Sequence, residues 1–122
     1  MTGILDDTSS IHQRHDFLTQ RYEDAYEAWT RQDAVVHAIR SSDVGRGDDA
    51  DRANAAAQLD EQDALALALR RQLDDLAMAV ERCEQGSYGR CDSCGDIIAS
   101  ERLELFPAAS DCLSCKQHLE RR

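Results

Sequence analysis

Apolar residues recur at alternating steps of three and four along two long stretches of the chain. A spacing that averages 3.5 residues puts such positions on one side of an α-helix and, sustained over several heptads, predicts two long helices that face each other through apolar seams. Polar residues interrupt both seams. The seam positions are Ile11, His15, Leu18, Tyr22, Ala25, Trp29, Gln32, Val36 and Ile39 in the first stretch, and Leu59, Gln62, Ala66, Leu69, Leu73, Leu76, Val80 and Cys83 in the second.

The helix-breaking residues support the same assignment. Residues 4–44 and 48–85 contain neither Gly nor Pro, as is typical of long helices. The polar connection at 41–51 carries two glycines and is long enough to reverse the chain, which favours antiparallel helices. At 1.5 Å per residue, a helix of about 30 residues is roughly 45 Å long. A compact bundle with a third helix is the alternative.

Local signals predict where the helices begin and end. Ser10 and Gln13 fit an N-terminal capping box, and Gly86 stands where a left-handed residue would end the second helix. We therefore expect a mainly α protein with three parts. These parts are a flexible N-terminal segment at 1–10, an antiparallel coiled-coil hairpin at 11–87 with its tip at 41–53, and a small C-terminal unit at 88–122 with a short terminal helix.

Four of the five cysteines form two Cys-x2-Cys pairs. Cys91 and Cys94 are separated from Cys112 and Cys115 by 17 residues. Two such turns supply four thiolates for one tetrahedral Zn²⁺, and four sulfur ligands leave no open position, so one structural zinc is predicted. Two redox disulfides or a thioredoxin-like pair are the alternative, but neither pair lies in a βαβ pattern.

Three further features bear on this C4 zinc finger. His118 could replace a ligand, although an exposed helical histidine is the simpler interpretation, and Cys83 on the second seam is interpreted as a small buried hydrophobe. Residues 88–122 hold few apolar side chains for a unit of that size. Folding of the finger should therefore be coupled to metal binding.

The predicted tip is acidic. Residues 41–53 contain four Asp and two Arg. One interpretation is a solvated loop in which Asp48 or Asp51 caps the second helix. The other is that carboxylates at the end of a long rod enter a basic or Mg²⁺-bearing cavity.

Composition excludes several classes of protein. The chain of 122 residues has 24 acidic and 14 basic residues, a net charge of −10 and 5% aromatic residues, which argues against an autonomous DNA or RNA binder. The longest apolar run, residues 64–69, is far shorter than the roughly 20 residues of a membrane helix. The N-terminus lacks a signal-peptide pattern. We expect a cytoplasmic protein without enzymatic activity, since the sequence has none of the common catalytic motifs.

Three segments together resemble the DksA/TraR family of bacterial transcription factors. The finger segments Gly86-Ser-Tyr-Gly-Arg-Cys-Asp-Ser-Cys-Gly, Glu101-Arg-Leu-Glu-Leu-Phe-Pro and Cys112-Leu-Ser-Cys-Lys are similar to the family's four-cysteine finger. The segment Asp48-Asp-Ala-Asp-Arg-Ala is similar to the family's tip motif Asp-x-x-Asp-x-Ala, and it precedes the first finger cysteine by the family's spacing.

The resemblance implies a function. Members bind RNA polymerase, insert the coiled coil through its secondary channel and alter transcription initiation. It implies polymerase-modulating tip residues Asp48, Asp51, Arg52 and Ala53, with a possible rim contact at Lys116, in a monomer without direct sequence-specific DNA binding. Members that respond to guanosine tetraphosphate carry basic residues where this chain has Asp75 and Phe106, so a response to that ligand is not expected here.

Two other interpretations remain open from the sequence. A transcript-cleavage factor of the same shape would use the carboxylates of Asp48 and Asp51 to hold a second Mg²⁺. A zinc-finger and coiled-coil adaptor would have another partner, and could act as a thiol switch in which oxidation ejects zinc.

Overall fold

The computed structural model describes residues 3–42 and 47–121, with side chains described from His12 onward. Four helices follow one another: α1 (Gly3–Ser41), α2 (Asp49–Gln85), α3 (Ser100–Leu105) and α4 (Leu113–Glu120). Within the described residues, extended pairing is limited to an isolated antiparallel bridge between Arg90 and Ile97. The mainly helical prediction is confirmed. None of the helices in this part of the chain has the length and apolar character that crossing a bilayer requires.

Both seams are withdrawn from solvent along the described side chains. Every seam position from His15 to Ile39 and from Leu59 to Cys83 is buried or half-buried. Their immediate neighbours are mostly exposed, so the burial has the helical period that the sequence predicts. Ile11, the first predicted seam position, lies outside the described side chains. The most deeply buried seam members are Leu18, Val36, Leu73 and Leu76.

The chain divides into two compact units, one formed by Met1–Tyr22 and Asp74–Arg122 and the other by Glu23–Leu73. The division falls within α1 and α2, and the predicted boundary at 87/88 stays a prediction. In the first of these units the finger packs against the end of α2. Arg82, only 9% exposed, donates a long hydrogen bond of 3.4 Å to the carbonyl of Ala108.

The unit Glu23–Leu73 contains the later part of α1 and the earlier part of α2. The guanidinium of Arg70 lies 4.9 Å from the ring centroid of Trp29, and Arg40 forms a 3.2 Å ion pair with Asp63. Later positions in α1 thus meet earlier positions in α2, as in an antiparallel pair. The helical seams therefore account for this unit as the sequence predicts.

A polar pair interrupts the seams within this same unit. The side-chain amide of Gln32 donates to the side-chain oxygen of Gln62 at 2.7 Å and to its backbone carbonyl at 3.0 Å. A polar contact among apolar seam positions favours one register, because any slip would leave half-buried amides without partners.

Helix α1 begins earlier than the sequence suggested. Its first residue is Gly3, whereas the capping box was expected to start the helix. Ser10 and Gln13 therefore lie inside the helix. Nothing in the segment 4–9 stops a helix, since it contains neither Gly nor Pro. A capping sequence permits a helix to begin but does not prevent an upstream turn from extending it.

Helix α2 ends at the predicted glycine. Gly86 has φ +79°, and its N–H donates to the carbonyl of Cys83 while the N–H of Ser87 donates to the carbonyl of Arg82 at 2.8 Å. This pair of bonds is the Schellman motif, which a residue without a Cβ forms at least cost. The chain leaves the helix at this point and enters the cysteine-containing unit.

Candidate metal centre and acidic tip

The first cysteine pair lies in a tight hairpin. The N–H of Ile98 donates to the carbonyl of Gly89 at 2.7 Å, and the N–H of Cys91 donates to the carbonyl of Asp96 at 2.8 Å. Gly95, with φ +78°, closes the turn by donating its N–H to the carbonyl of Cys91. A left-handed residue is needed directly after Cys94, which explains the glycine there.

The second cysteine pair is set by the start of α4. Cys112 is the N-cap residue, and its Sγ accepts the backbone N–H of Cys115 at 3.5 Å. A spacing of three residues places both sulfurs on the first turn of the helix. Unpaired N–H groups at a helix start favour negative charge, so this position suits thiolates.

The four sulfurs converge on one point. The Sγ atoms of Cys91, Cys94, Cys112 and Cys115 all lie within 4.8 Å of one another, and those of Cys94 and Cys112 are 3.8 Å apart. A tetrahedron with Zn–S bonds of about 2.3 Å has S–S edges of about 3.8 Å. The donor set therefore fits zinc, and the protein has one structural zinc site. His118 is exposed and is not a member of this cluster.

The thiols of Cys91 and Cys115 have pKa values shifted in opposite directions. The backbone N–H groups of Cys112, Cys94 and Ser93 lower the pKa of Cys91 to about 6. Hydrogen bonding to the neighbouring sulfurs, first that of Cys112, raises the pKa of Cys115. One thiolate thus forms readily and opposes ionisation of the next. A bound Zn²⁺ removes that opposition, because its charge stabilises all four thiolates.

The finger has a small core and a large exposed apolar surface. Ile98 is 1% exposed and Gly89 and Pro107 are buried, but Ile97 and Leu105 are 77% and 74% exposed. So little apolar burial supports the prediction that the metal stabilises this unit.

Two side chains donate hydrogen bonds to consecutive backbone carbonyls of the finger. The hydroxyl of Tyr88 donates to the carbonyl of Pro107 at 2.8 Å, one residue before the Ala108 carbonyl that Arg82 binds. Cysteine spacing does not reveal these contacts. Cys83, as predicted, is a buried seam residue, and burial raises the pKa of its thiol.

At the start of α2, Asp48 acts as the helix cap. Its carboxylate accepts the backbone N–H of Asp51 at 2.8 Å, and its carbonyl accepts that of Arg52 at 3.0 Å. Arg52 also pairs with Asp49 at 2.7 Å. Of the two capping residues considered from sequence, Asp48 has this role, and its loss should fray the first turn.

The side chain of Asp51 lies close to Gly47, a residue whose place in the sequence marks it only as a helix breaker. Gly47 has φ +105°, and a Cβ at that position would lie 2.8 Å from Oδ2 of Asp51 and 2.9 Å from its Cβ. The side chain of Asp51 therefore folds back over Gly47. Asp51 and Ala53 are exposed. The rest of the predicted tip, at 43–46, lies outside the described residues.

The remaining candidate positions are on the surface. Lys116 is exposed and lies 3.9 Å from Glu120 on the next turn of α4. Asp75 is exposed on α2. Phe106 is 58% exposed, and the guanidinium of Arg102 lies 5.7 Å from its ring centroid. The structure thus leaves the side chains of Lys116, Asp75 and Phe106 accessible to a partner.

Comparisons with known proteins agree with this geometry. Residues 86–121 match the prokaryotic DksA/TraR C4-type zinc finger. A stretch of 53 residues is 36% identical to the RNA polymerase-binding transcription factor DksA of Caulobacter vibrioides, and covers 43% of this chain and 37% of that protein. A stretch of 49 residues is 37% identical to an uncharacterized protein of Aquifex aeolicus, and covers 40% of this chain and 34% of that protein. The chain thus spans about a third of the length of these curated relatives.

The fold comparison covers much more of the chain. The structure of transcription factor DksA2 from Pseudomonas aeruginosa matches with a TM-score of 0.79 and 26% identity, over 95% of this chain and 87% of that one. The likeness therefore includes the long helices as well as the finger. With the finger match and the curated DksA relative, it supports a place for this chain in the DksA/TraR family.

Proposed function

We propose that this protein is an RNA polymerase-binding transcription regulator of the DksA type, whose acidic tip enters the secondary channel and modulates initiation. The observation that carries the proposal is the start of α2, where Asp51 and Ala53 are exposed in an Asp-x-x-Asp-x-Ala pattern on a DksA-like fold. The Caulobacter relative is named for polymerase binding. A net charge of −10 suits a channel that admits nucleotides.

The tip residues divide into two roles. Asp51 and Ala53 are the groups that act on the polymerase. Asp48 supports them by capping α2, and Arg52 is anchored next to them by Asp49. This division explains why charged residues cluster in a segment that contributes nothing to an apolar core.

The finger has a supporting role in this proposal. Four sulfur ligands leave its zinc no open position for substrate, so the protein acts by binding and not as an enzyme. Lys116 on α4 contacts the channel rim. A response to guanosine tetraphosphate is not expected, because Asp75 would repel a tetra-anionic ligand and Phe106 brings no charge. The regulator works as a cytoplasmic monomer.

The transcript-cleavage alternative is less well supported. It needs Asp48 and Asp51 to share a Mg²⁺ ion at the polymerase centre. The carboxylate of Asp48 instead holds the N–H of Asp51, and that of Asp51 folds toward Gly47. Helix capping accounts for Asp48 without a metal.

The proposal is tested with Asp51→Asn and the control Asp60→Asn, which removes the same charge at an exposed position farther along α2. Asn preserves the backbone N–H that Asp48 accepts, so fold and zinc content should be unchanged. We expect both variants to co-purify with bacterial RNA polymerase, while Asp51→Asn alone loses its effect on promoter-complex lifetime. Failure of the unmodified protein to bind polymerase, or full activity of Asp51→Asn, would contradict the proposal.

A further inference from the structure

Asp111 connects the two cysteine pairs of the finger. Its Oδ1 accepts the hydroxyl of Ser93 at 2.8 Å, and Ser93 stands between Cys91 and Cys94. Asp111 itself directly precedes Cys112. This side-chain hydrogen bond thus joins the first Cys-x2-Cys turn to the residue that leads into the second.

Other contacts fix the backbone on both sides of this link. The carbonyl of Asp111 accepts Nε of Arg102, on α3, at 3.1 Å. The N–H of Asp92 donates to the carbonyl of Ser110 at 2.8 Å, which adds a backbone bond between the same two segments. Asp111 is half-buried. Its carboxylate is therefore held in place and does not sample solvent freely.

Such a link lowers the ordering cost of metal binding. The two ligand pairs are separated by 17 residues, and a site assembled from two loose turns must fix both when the ion enters. Turns that are already joined lose less conformational freedom at that step. Groups that orient metal ligands from outside the coordination sphere commonly change metal affinity by about 10- to 100-fold.

The negative charge of Asp111 is unfavourable at this position, although its hydrogen bond to Ser93 is favourable. Oδ1 lies 3.7 Å from Sγ of Cys91, and in the zinc-bound state that sulfur is a thiolate. A carboxylate beside a thiolate is repelled, so the benefit must come from the hydrogen-bonded link. An Asn at 111 would keep an acceptor for Ser93 and would remove the negative charge beside the Cys91 thiolate.

We propose that Asp111 is a positioning residue of the zinc site, which acts through Ser93 to hold the two cysteine pairs ready for the metal. The link depends on geometry and not on negative charge. The Cys-x2-Cys spacing identifies the four ligands, but it does not identify Ser93 or Asp111 as residues that support them. The proposal concerns zinc retention and is independent of polymerase binding.

Zinc affinity of the full chain, measured by competition with a chromogenic chelator, tests the proposal. Asp111→Ala and Ser93→Ala should each weaken zinc binding by about 10-fold, the lower end of the range for groups outside the coordination sphere because Ser93 is exposed. Asp111→Asn should bind zinc as tightly as the unmodified chain or more tightly. The double variant Ser93→Ala/Asp111→Ala should be no weaker than Asp111→Ala.

Asp92→Ala is the matched control, since it removes an exposed carboxylate next to Cys91 and should leave affinity unchanged. The Co²⁺-loaded variants should keep the absorption of a four-thiolate tetrahedral site while releasing the metal faster. If Asp111→Asn weakens binding as much as Asp111→Ala, or if Ser93→Ala and Asp111→Ala match the unmodified chain, the proposal is overturned. Ser93→Ala keeps the test valid if Asp111→Ala fails to fold.

Discussion

The finger and the unit Glu23–Leu73 are stabilised in different ways. In the finger, Ile98 is a rare fully buried large side chain, and several apolar residues remain exposed. In the unit Glu23–Leu73, regularly spaced residues such as Val36 and Leu73 are buried along the helices. Metal ligation therefore replaces a core in one region, and periodic apolar packing supplies it in the other.

This difference separates structural from functional constraints. The finger needs four cysteines and a few left-handed glycines, which leaves the rest of its surface variable. The helices need only their apolar seam positions. The start of α2 contains none of these positions, so it contributes no buried apolar side chain. Asp48, Asp49, Asp51 and Arg52 are all exposed there. Asp48 caps the helix, but the exposed carboxylate of Asp51 is not needed for that cap, so it is available for a partner-directed function.

Removing zinc should have the largest effect and should be confined to the finger. We expect a high-affinity chelator to release one zinc per chain and to lower amide-exchange protection strongly across residues 86–121, because metal binding supplies much of the folding free energy in such units. Residues 23–73 should retain their helical protection. Hydrogen exchange read by mass spectrometry measures both regions together, and a chelated protein with a fully protected finger would refute the structural role of zinc.

Truncating a seam residue should have the next largest effect, in the other region. Leu73→Ala removes a side chain that is 2% exposed, and deletion of a buried leucine costs about 2–5 kcal/mol. Leu67→Ala, at a position that is 54% exposed, is the control and should cost much less. Urea unfolding followed by circular dichroism gives both values. Equal losses for the two variants would show that the seam does not stabilise these helices.

The smallest effect is expected at Gly47, within the tip. Gly47→Ala forces a left-handed Cβ against Asp51, whereas Gly86→Ala forces a left-handed Cβ with nothing within 4 Å. Backbone strain of this type costs about 1–3 kcal/mol, and the contact with Asp51 should add to it. We expect Gly47→Ala also to weaken the effect on transcription, while Gly86→Ala leaves it intact. Thermal unfolding measures the stability of each variant, and an initiation assay measures its effect on transcription. Identical behaviour of the two variants would contradict a special role for Gly47.

Periodicity and spacing account for what the sequence could predict. The seams follow from the period of the helix, the end of α2 at Gly86 from its lack of a Cβ, and the metal site from two Cys-x2-Cys turns. The tip motif and finger also carried the family resemblance. These features are local, or they repeat, so they leave a direct trace in the order of residues.

The features that the sequence did not predict depend on contacts whose geometry only the backbone path reveals. The bond from Arg82 to Ala108, the link from Ser93 to Asp111 and the fold of Asp51 over Gly47 are of this kind. The helical start at Gly3 was missed for another reason. A capping box marks a possible beginning, but only a breaker upstream would have forced the helix to begin there.

The most direct test of the proposed mechanism is photo-crosslinking from position 53 to RNA polymerase. A photoreactive amino acid in place of the exposed Ala53 should crosslink to the polymerase segments that line the secondary channel, and a reagent that blocks the channel should abolish those products. Crosslinks confined to the outer surface of the polymerase, or products that persist with the channel blocked, would contradict the proposed insertion of the tip.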